Sequence, residues 1–247
     1  AAEFNSLTDR LQTTENARRR FVSDASHELK TPLAGIRLLT DSILQTDHMD
    51  EATTKEFVSD IGREAERLSR ITENLLRLTR LDSGVVQQPY PVAVQPVLER
   101  VERMLAMVAQ EKGVTLSGHA DEDAVAMATD DDVHQILYNL MENAIKYSAA
   151  ENGFVRAEAR VEGESVVITV SDNGIGIPDE DLEHVFDRFY RVDKMRSREV
   201  GGTGLGLSIV KDTIENRGGT IAAAHNPDGV GTMFIVRLPL AERGEGT

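Results

Sequence analysis

The sequence has no cysteine and no tryptophan in 247 residues, and aromatic residues make up only 4% of it. Without cysteine, a disulfide framework and a thiolate metal site are both excluded. The scarcity of aromatics points to aliphatic packing of the kind helices use. Long apolar runs are missing too: none approaches the roughly 18 residues of a membrane helix. No secretory signal pattern is seen, so the chain is expected to be cytoplasmic, or the cytoplasmic part of a longer protein. Basic residues are in deficit, 27 Lys and Arg against 42 Asp and Glu, for a formal net charge of −15. That balance argues against a nucleic-acid or anionic-membrane surface, so no nucleic-acid partner is expected. The hydrophobic fraction of 40% suits a soluble globular protein of one large domain or two small ones.

What is present is organised around the stretch from Phe21 to Leu33. Ala25, Leu29, Pro32, Ile36, Leu39 and Ile43 recur at steps of 4, 3, 4, 3 and 4. On a helix they form one narrow stripe, the pattern of a bundle or coiled coil. His27 then points away from the stripe, with Glu28 beside it and Thr31 one turn on along the same outer face. A lone histidine on such a face is ordinarily a plain surface residue. Yet imidazole, with an ordinary pKa of about 6.5, is mostly neutral near pH 7 and has a free lone pair. A neighbouring carboxylate can hold its other nitrogen and favour the reactive tautomer. Pro32 removes a helix hydrogen bond to the carbonyl of Glu28 and is expected to bend the helix just past the histidine. The outward face continues through Ala34 and Leu38. Any partner reaching His27 must cross them, which makes them candidate docking positions; packing of Leu38 inside a bundle is the alternative.

The same helical pattern extends upstream through Phe4, Leu7, Leu11 and Thr14. A helix over about 4–46 would be about 65 Å long, and such a length without internal caps suggests a coiled coil or a signal-conducting rod. After a break at Thr46–Asp50, Val58, Ile61, Ala65, Leu68, Ile71, Leu75 and Leu78 mark a second helix. Two such helices cannot bury both stripes alone, so a homodimer closing a four-helix bundle is expected. A plain structural hairpin would show the same stripes.

Residues 83–91, with Pro89 and Pro91, read as an extended linker, and the chain then changes to mixed α/β character. Helices are expected near 95–112, 131–148 and 205–216, with strands near 114–116, 124–128, 154–161, 165–171, 220–224 and 232–238. Strands and helices without strict alternation indicate an α+β sandwich. Four stretches in this half carry chemistry. Asn139, Asn143, Lys146 and Tyr147 share one helix face, and an amide oxygen suits Mg²⁺. Asp172, Gly174 and Gly176 follow a strand, where a carboxylate can accept from the amine of adenine while glycines let backbone approach the base. The spacing is not that of an EF-hand. Arg188, Arg191, Lys194, Arg196 and Arg198 put five cations in eleven positions of an acidic chain, and guanidinium binds phosphate bidentately. Gly201, Gly202, Thr203, Gly204, Leu205 and Gly206 open a helix and form an anion site, without the Gly-Lys-Ser/Thr of a Walker loop.

Ser-His-Glu-Leu-Lys-Thr-Pro-Leu at 26–33 resembles the phospho-acceptor box of two-component sensor histidine kinases. The four later stretches, in their order, resemble the N, G1, F and G2 boxes of the GHKL ATP-binding fold, with Gly229-Val-Gly231-Thr232 as its last glycine element. The resemblance spans about 21–239 and shows no departure at a reactive position. It implies a dimeric helical bundle followed by a GHKL-type sandwich. Residues 1–20 would be a signal-conducting helix resembling the end of a HAMP linker, 21–82 the dimerisation and phosphotransfer domain, 83–91 the linker and 92–242 the ATP-binding domain. ATP and Mg²⁺ are the implied cofactors. By the same likeness, His27 is the phosphorylated residue, Glu28 its base and Thr31 the residue that orients water in dephosphorylation of the partner. Asn143 would hold Mg²⁺ and Asp172 read adenine. Lys146, Tyr147, Arg191 and the Gly202–Gly206 loop would contact ribose and phosphates, under a lid at roughly 192–203. The implied partners are a second copy and the receiver domain of a response regulator. A full-length protein anchored in a membrane, with this segment soluble, is also implied. Two other classes stay open: a GHKL ATPase or chaperone, which would release phosphate without a labelled intermediate, and a nucleotide-binding scaffold without turnover.

Overall fold

Two long helices come first: α1, Ala2–Gln45, and α2, Glu51–Asp82. Between them Asp50 caps α2, accepting from the Thr53 backbone N–H at 2.9 Å and the Thr53 hydroxyl at 2.6 Å. Those bonds hold the Asp50 carboxyl below the usual carboxylate range, as expected for an acid at a helix N-terminus. The computed structural model describes residues 2–46, 48–82, 87–149, 151–192 and 203–242. They divide into two compact units, Ala1–Arg77 with Gly201–Leu205 and Leu78–Val200 with Gly206–Thr247.

In the hairpin, the sequence stripe faces inward. Ala25, Pro32 and Ile71 are buried, and Leu29, Ile36, Leu39 and Ile43 are half-buried. Pro32 sits inside α1, which continues through it. The cover is incomplete on α2: Val58 and Ala65, expected in the stripe, are exposed. Leu33, Leu38, Leu44 and Leu76 are each more than half exposed. A pair of helices can bury only the facing half of each stripe, so the outer half stays in solvent.

The second unit is a two-layer sandwich. Its strands are β1 (Tyr90–Ala93), β2 (Val114–Ala120), β3 (Val125–Ala128), β4 (Gly153–Glu162), β5 (Ser165–Asp172), β6 (Thr220–His225) and β7 (Thr232–Pro239). Its helices are α3 (Val94–Glu111), α4 (Asp130–Tyr147) and α5 (Gly206–Asn216), with a short 3₁₀ turn at Asp179–Asp181. Five strands form a sheet in the order β2-β4-β5-β7-β6, parallel only at β2–β4. Along β4 the alternation is plain: Val155, Ala157 and Ala159 are buried while Arg156, Glu158 and Arg160 are exposed, as a sheet covered on one face requires. The helices lie on the covered face, where Ile136, Leu137, Leu140 and Ile145 of α4 are fully buried with Val170 and Val236.

One element differs from the linker expected at 83–91. Residues 83–86 lie outside the described residues, but Tyr90–Ala93 is a strand, paired antiparallel with β3 so that Pro91 faces Met127. Proline lacks the ladder N–H, which an edge strand tolerates because one side of it bonds nothing.

A buried polar cluster fixes α4. Thr129 and Asp132 form a capping box, with Asp132 N–H donating to Thr129 Oγ1 at 3.2 Å and Thr129 N–H to Asp132 Oδ2 at 3.1 Å. Arg217, from beyond α5, donates to the same Oδ2 through Nε at 2.8 Å and Nη2 at 2.7 Å, and through Nη1 to the Gln87 carbonyl at 2.7 Å. Asp132→Ala removes the cap and strands a buried guanidinium. It should cost about 3–5 kcal/mol in urea unfolding, whereas Asp131→Ala at the exposed neighbouring position should stay within about 0.5 kcal/mol.

Candidate functional site

In the helical unit His27 and Thr31 are exposed on one face of α1. The Thr31 hydroxyl donates back to the His27 carbonyl at 3.2 Å, while the imidazole makes no hydrogen bond to a described residue. Glu28 is half-buried and turned toward α2, where the Arg67 guanidinium lies 3.6 Å from its carboxylate. Arg67 was not flagged by sequence, because its partner is far away in the chain. Ala34 and Leu38 are exposed, Leu38 to 68%.

In the sandwich unit the centre is Asp172. The alternation Val166, Ile168, Val170 makes it the last inward position of β5, opposite Val155, and it is 3% exposed. Its Oδ1 accepts from Gly174 N–H at 2.8 Å and Thr232 N–H at 3.3 Å; Oδ2 accepts from no described residue. Burial pushes the carboxyl above its ordinary value, against the pull of those two bonds. Glycines surround it for steric reasons. A Cβ on Gly231 would lie 1.9 Å from the Asp172 carbonyl oxygen, and one on Gly174 would lie 2.0 Å from the Tyr147 carbonyl oxygen. That last oxygen accepts from Ile175 N–H at 3.1 Å, so the loop after β5 is laid against the end of α4. Gly176 continues it with φ +72°, in the left-handed region.

Two asparagines missed by sequence hold this loop. Asn226 donates to the Asp172 carbonyl at 2.8 Å. Asn173 accepts from Phe154 N–H and donates to the Asn152 carbonyl, both at 2.8 Å. Sequence position alone carries no sign of such long-range partners.

The α4 residues divide. Asn139 is buried and committed, its amide donating to the Gln135 carbonyl at 2.9 Å, with Oδ1 only 3.0 Å from where a Cβ on Gly206 would stand. Asn143 is half-buried and makes no side-chain hydrogen bond to a described residue. The Lys146 ammonium lies 5.1 Å from the centre of the Tyr147 ring. Burial lowers its pKa, Tyr147 and Glu142 oppose this, and the Arg191 charge adds to the lowering. Arg188 is used differently, in an ion pair of 2.9 Å with Asp212 on α5. Thr203 Oγ1 accepts from Leu205 N–H at 3.3 Å, Gly204 has φ +70°, and Leu205 is buried. Gly202, Lys194, Arg196, Arg198 and nearly all of the lid lie outside the described residues.

Two family models match the chain. Residues 17–84 match the His Kinase A (phospho-acceptor) domain, and 128–242 match the histidine kinase-, DNA gyrase B- and HSP90-like ATPase. The sensor histidine kinase WalK of Bacillus subtilis is 35% identical over 240 residues, covering 94% of this chain and 38% of that protein. The sensor-like histidine kinase SenX3 of Mycobacterium tuberculosis is 37% identical over 227 residues, covering 91% and 54%. The chain belongs to the sensor histidine kinases. It spans about half or less of the length of these two relatives. In fold it is similar to the histidine kinase ThkA, solved in complex with the response regulator protein TrrA, at a TM-score of 0.71 and 21% identity, covering 94% of this chain and 66% of that one. As in the matched family models, the helical unit of this chain precedes the sandwich. None of its described helices is long and apolar enough to cross a membrane.

The glycine at 174 gives a direct check on the pocket. Gly174→Ala drives a methyl into the Tyr147 carbonyl and should cost on the order of 1–3 kcal/mol in urea unfolding. Gly62→Ala in α2, where a Cβ meets nothing within 4 Å, should instead stabilise by about 0.5–1 kcal/mol.

Proposed function

We propose that this kinase, as a homodimer, phosphorylates its own His27 from MgATP and passes the phosphoryl group to an aspartate of a response-regulator receiver domain. The observation that carries the reading is the exposed imidazole of His27, bonded to no described residue, next in sequence to Glu28, whose carboxylate pairs with Arg67 of the opposite helix. In the sandwich, Asp172 Oδ2 is the acceptor left for the exocyclic amine of adenine, and Gly174, Gly176 and Gly231 leave room for a flat ring. Lys146, Tyr147 and Arg191 would face ribose and phosphates, with Asn139, Thr203, Gly204, Leu205 and Gly206 shaping the phosphate end and Gly202 contributing to it. Among the described residues no three His, Cys, Asp or Glu side chains cluster to hold a metal. Mg²⁺ would arrive with the nucleotide and take one oxygen from Asn143; when bound it would neutralise charge on the phosphate oxygens.

His27 then attacks the γ-phosphorus in line, ADP leaves, and Glu28 takes the imidazole proton. Exposed Val58, Leu33, Leu44 and Leu76 support closure of a four-helix bundle by a second hairpin. The solved complex of ThkA with a response regulator supports a receiver domain as the partner class. We assign Thr31 to orienting water in hydrolysis of the regulator's phospho-aspartate, and Ala34 with Leu38 to regulator docking. In domain terms, 1–20 conducts the signal, 21–82 dimerises and accepts phosphate, 83–91 links and 92–242 binds ATP. The whole protein is proposed to be anchored in a membrane with this part on the cytoplasmic side.

Incubation with γ-labelled ATP should give acid-labile, base-stable label. His27→Ala should lose all of it while still binding ATP, and Asn143→Ala should lose label together with Mg²⁺-dependent nucleotide binding. Free phosphate without labelled protein would instead indicate a simple ATPase, and label retained by His27→Ala would place the acceptor elsewhere.

Partner-directed steps separate on the outer face of α1. Thr31→Ala should keep autophosphorylation but slow dephosphorylation of the regulator at least tenfold. Leu38→Asp should keep autophosphorylation within twofold but cut transfer to the regulator by about tenfold, the scale of one hot-spot contact. Loss of the dimer in Leu38→Asp would put that side chain in the bundle core instead.

A further inference from the structure

Most ion pairs of the hairpin are exposed neighbours on a single helix, such as Arg37 with Asp41 and Lys55 with Glu51, and pairs of that kind contribute little. Arg67 is different. It is 8% exposed and reaches across from α2, with Nη2 at 3.6 Å from Glu28 Oε2 and Nη1 at 3.9 Å from Glu64 Oε2. A buried guanidinium is costly unless its charge is met, and these two carboxylates meet it. Yet Arg67 Nε and Glu64 Oε2 are buried without a hydrogen-bond partner among the described residues. A site built for stability alone would satisfy them, or would be apolar. What the arrangement does secure is the direction of Glu28, the residue next to His27.

We propose that Arg67 is a positioning residue for phosphorylation of His27, fixing the Glu28 carboxylate as proton acceptor. This rests on the reading of Glu28 as the base. In the step concerned, a ring nitrogen of His27 bonds to the γ-phosphorus and the bond from phosphorus to the bridging oxygen breaks. ADP leaves with that electron pair, and the imidazole N–H proton passes to Glu28. A carboxylate free to rotate is in the right place for only part of the time. The planar guanidinium of Arg67, set between Glu28 at 3.6 Å and Glu64 at 3.9 Å, restricts it where a flexible ammonium would do so less well.

The test is autophosphorylation kinetics of the intact chain with γ-labelled ATP. Arg67→Met should lower kcat about tenfold with KM for ATP within twofold, a fraction of what removing a general base costs. Arg67→Lys should recover part of the loss. Added to Glu28→Gln, Arg67→Met should give no further loss beyond twofold, because both act through one group. Should Arg67→Met fail to fold, the pair Arg67→Met with Glu64→Gln removes the buried cation together with a buried carboxylate. Read against Glu64→Gln alone, it should show the same fall in kcat. Wild-type kcat without Arg67, a rise in KM instead of a fall in kcat, or a full further loss in the Glu28→Gln background would each overturn the proposal. If Glu28→Gln itself labels at the wild-type rate, the assignment of the base has failed. A slow Glu28→Gln beside a normal Arg67→Met removes only the role of Arg67.

Discussion

A carboxylate buried at the end of a strand has to be met by donors, and in the sandwich that demand falls on Asp172. Two backbone N–H groups reach Oδ1, and bonds to a charged acceptor contribute about 1.5–3 kcal/mol each. Burial still outweighs them, since the carboxyl is pushed up rather than down. Much of the local architecture follows from this one group. Gly174 and Thr232 give their amides, Asn226 holds the Asp172 carbonyl, and Gly231 has no Cβ because one would stand 1.9 Å from that oxygen. Among the described residues none donates to Oδ2. A ligand amine there would supply what the protein leaves out, which is how a pocket can select for a donor without a cation.

The hairpin faces the opposite requirement. The histidine proposed as nucleophile must be exposed to be used, but the helix that bears it needs a buried stripe to stay folded. Period 3.6 resolves the conflict on one element: Ala25 and Pro32 point in while His27 and Thr31 point out. Glu28 lies between the two faces, half-buried, which is why a residue of α2 can reach it. An acid wholly on the outer face would have no such neighbour to fix its direction.

Long-period patterns made most of this fold legible from sequence. Steps of 3 and 4 located α1 and α2, and the helix expected near 131–148 and the strands near 154–161 and 165–171 are α4, β4 and β5. Where a signal was short and punctuated, it misled. Pro89 and Pro91 mark an extended linker, yet Tyr90–Ala93 pairs with β3, because a two-stranded edge asks little of a proline N–H. Residue types with distinctive chemistry, His27, Asp172, Lys146 and the glycines, stood out by their local setting. Asn173, Asn226, Arg67 and Arg217 did not, since their meaning lies in partners remote along the chain. The basic run was legible as a cluster but not in its division of labour: Arg188 is spent on Asp212, and Arg191 bears on Lys146.

That division bears on how a chain of net charge −15 can accept a polyanion. At physiological salt the Debye length is about 8 Å, so the distant acid surplus is largely screened and the near charges decide. Lys146 is half-buried, and its ammonium is disfavoured first by burial and further by the Arg191 charge, with Glu142 only partly compensating. An anion placed near both the Lys146 and Arg191 charges would gain from each of them. A surface uniformly basic enough to do the same would also attract nucleic acid. Cations concentrated at one place keep such an attraction local, so a molecule that is acidic overall would still accept phosphates there.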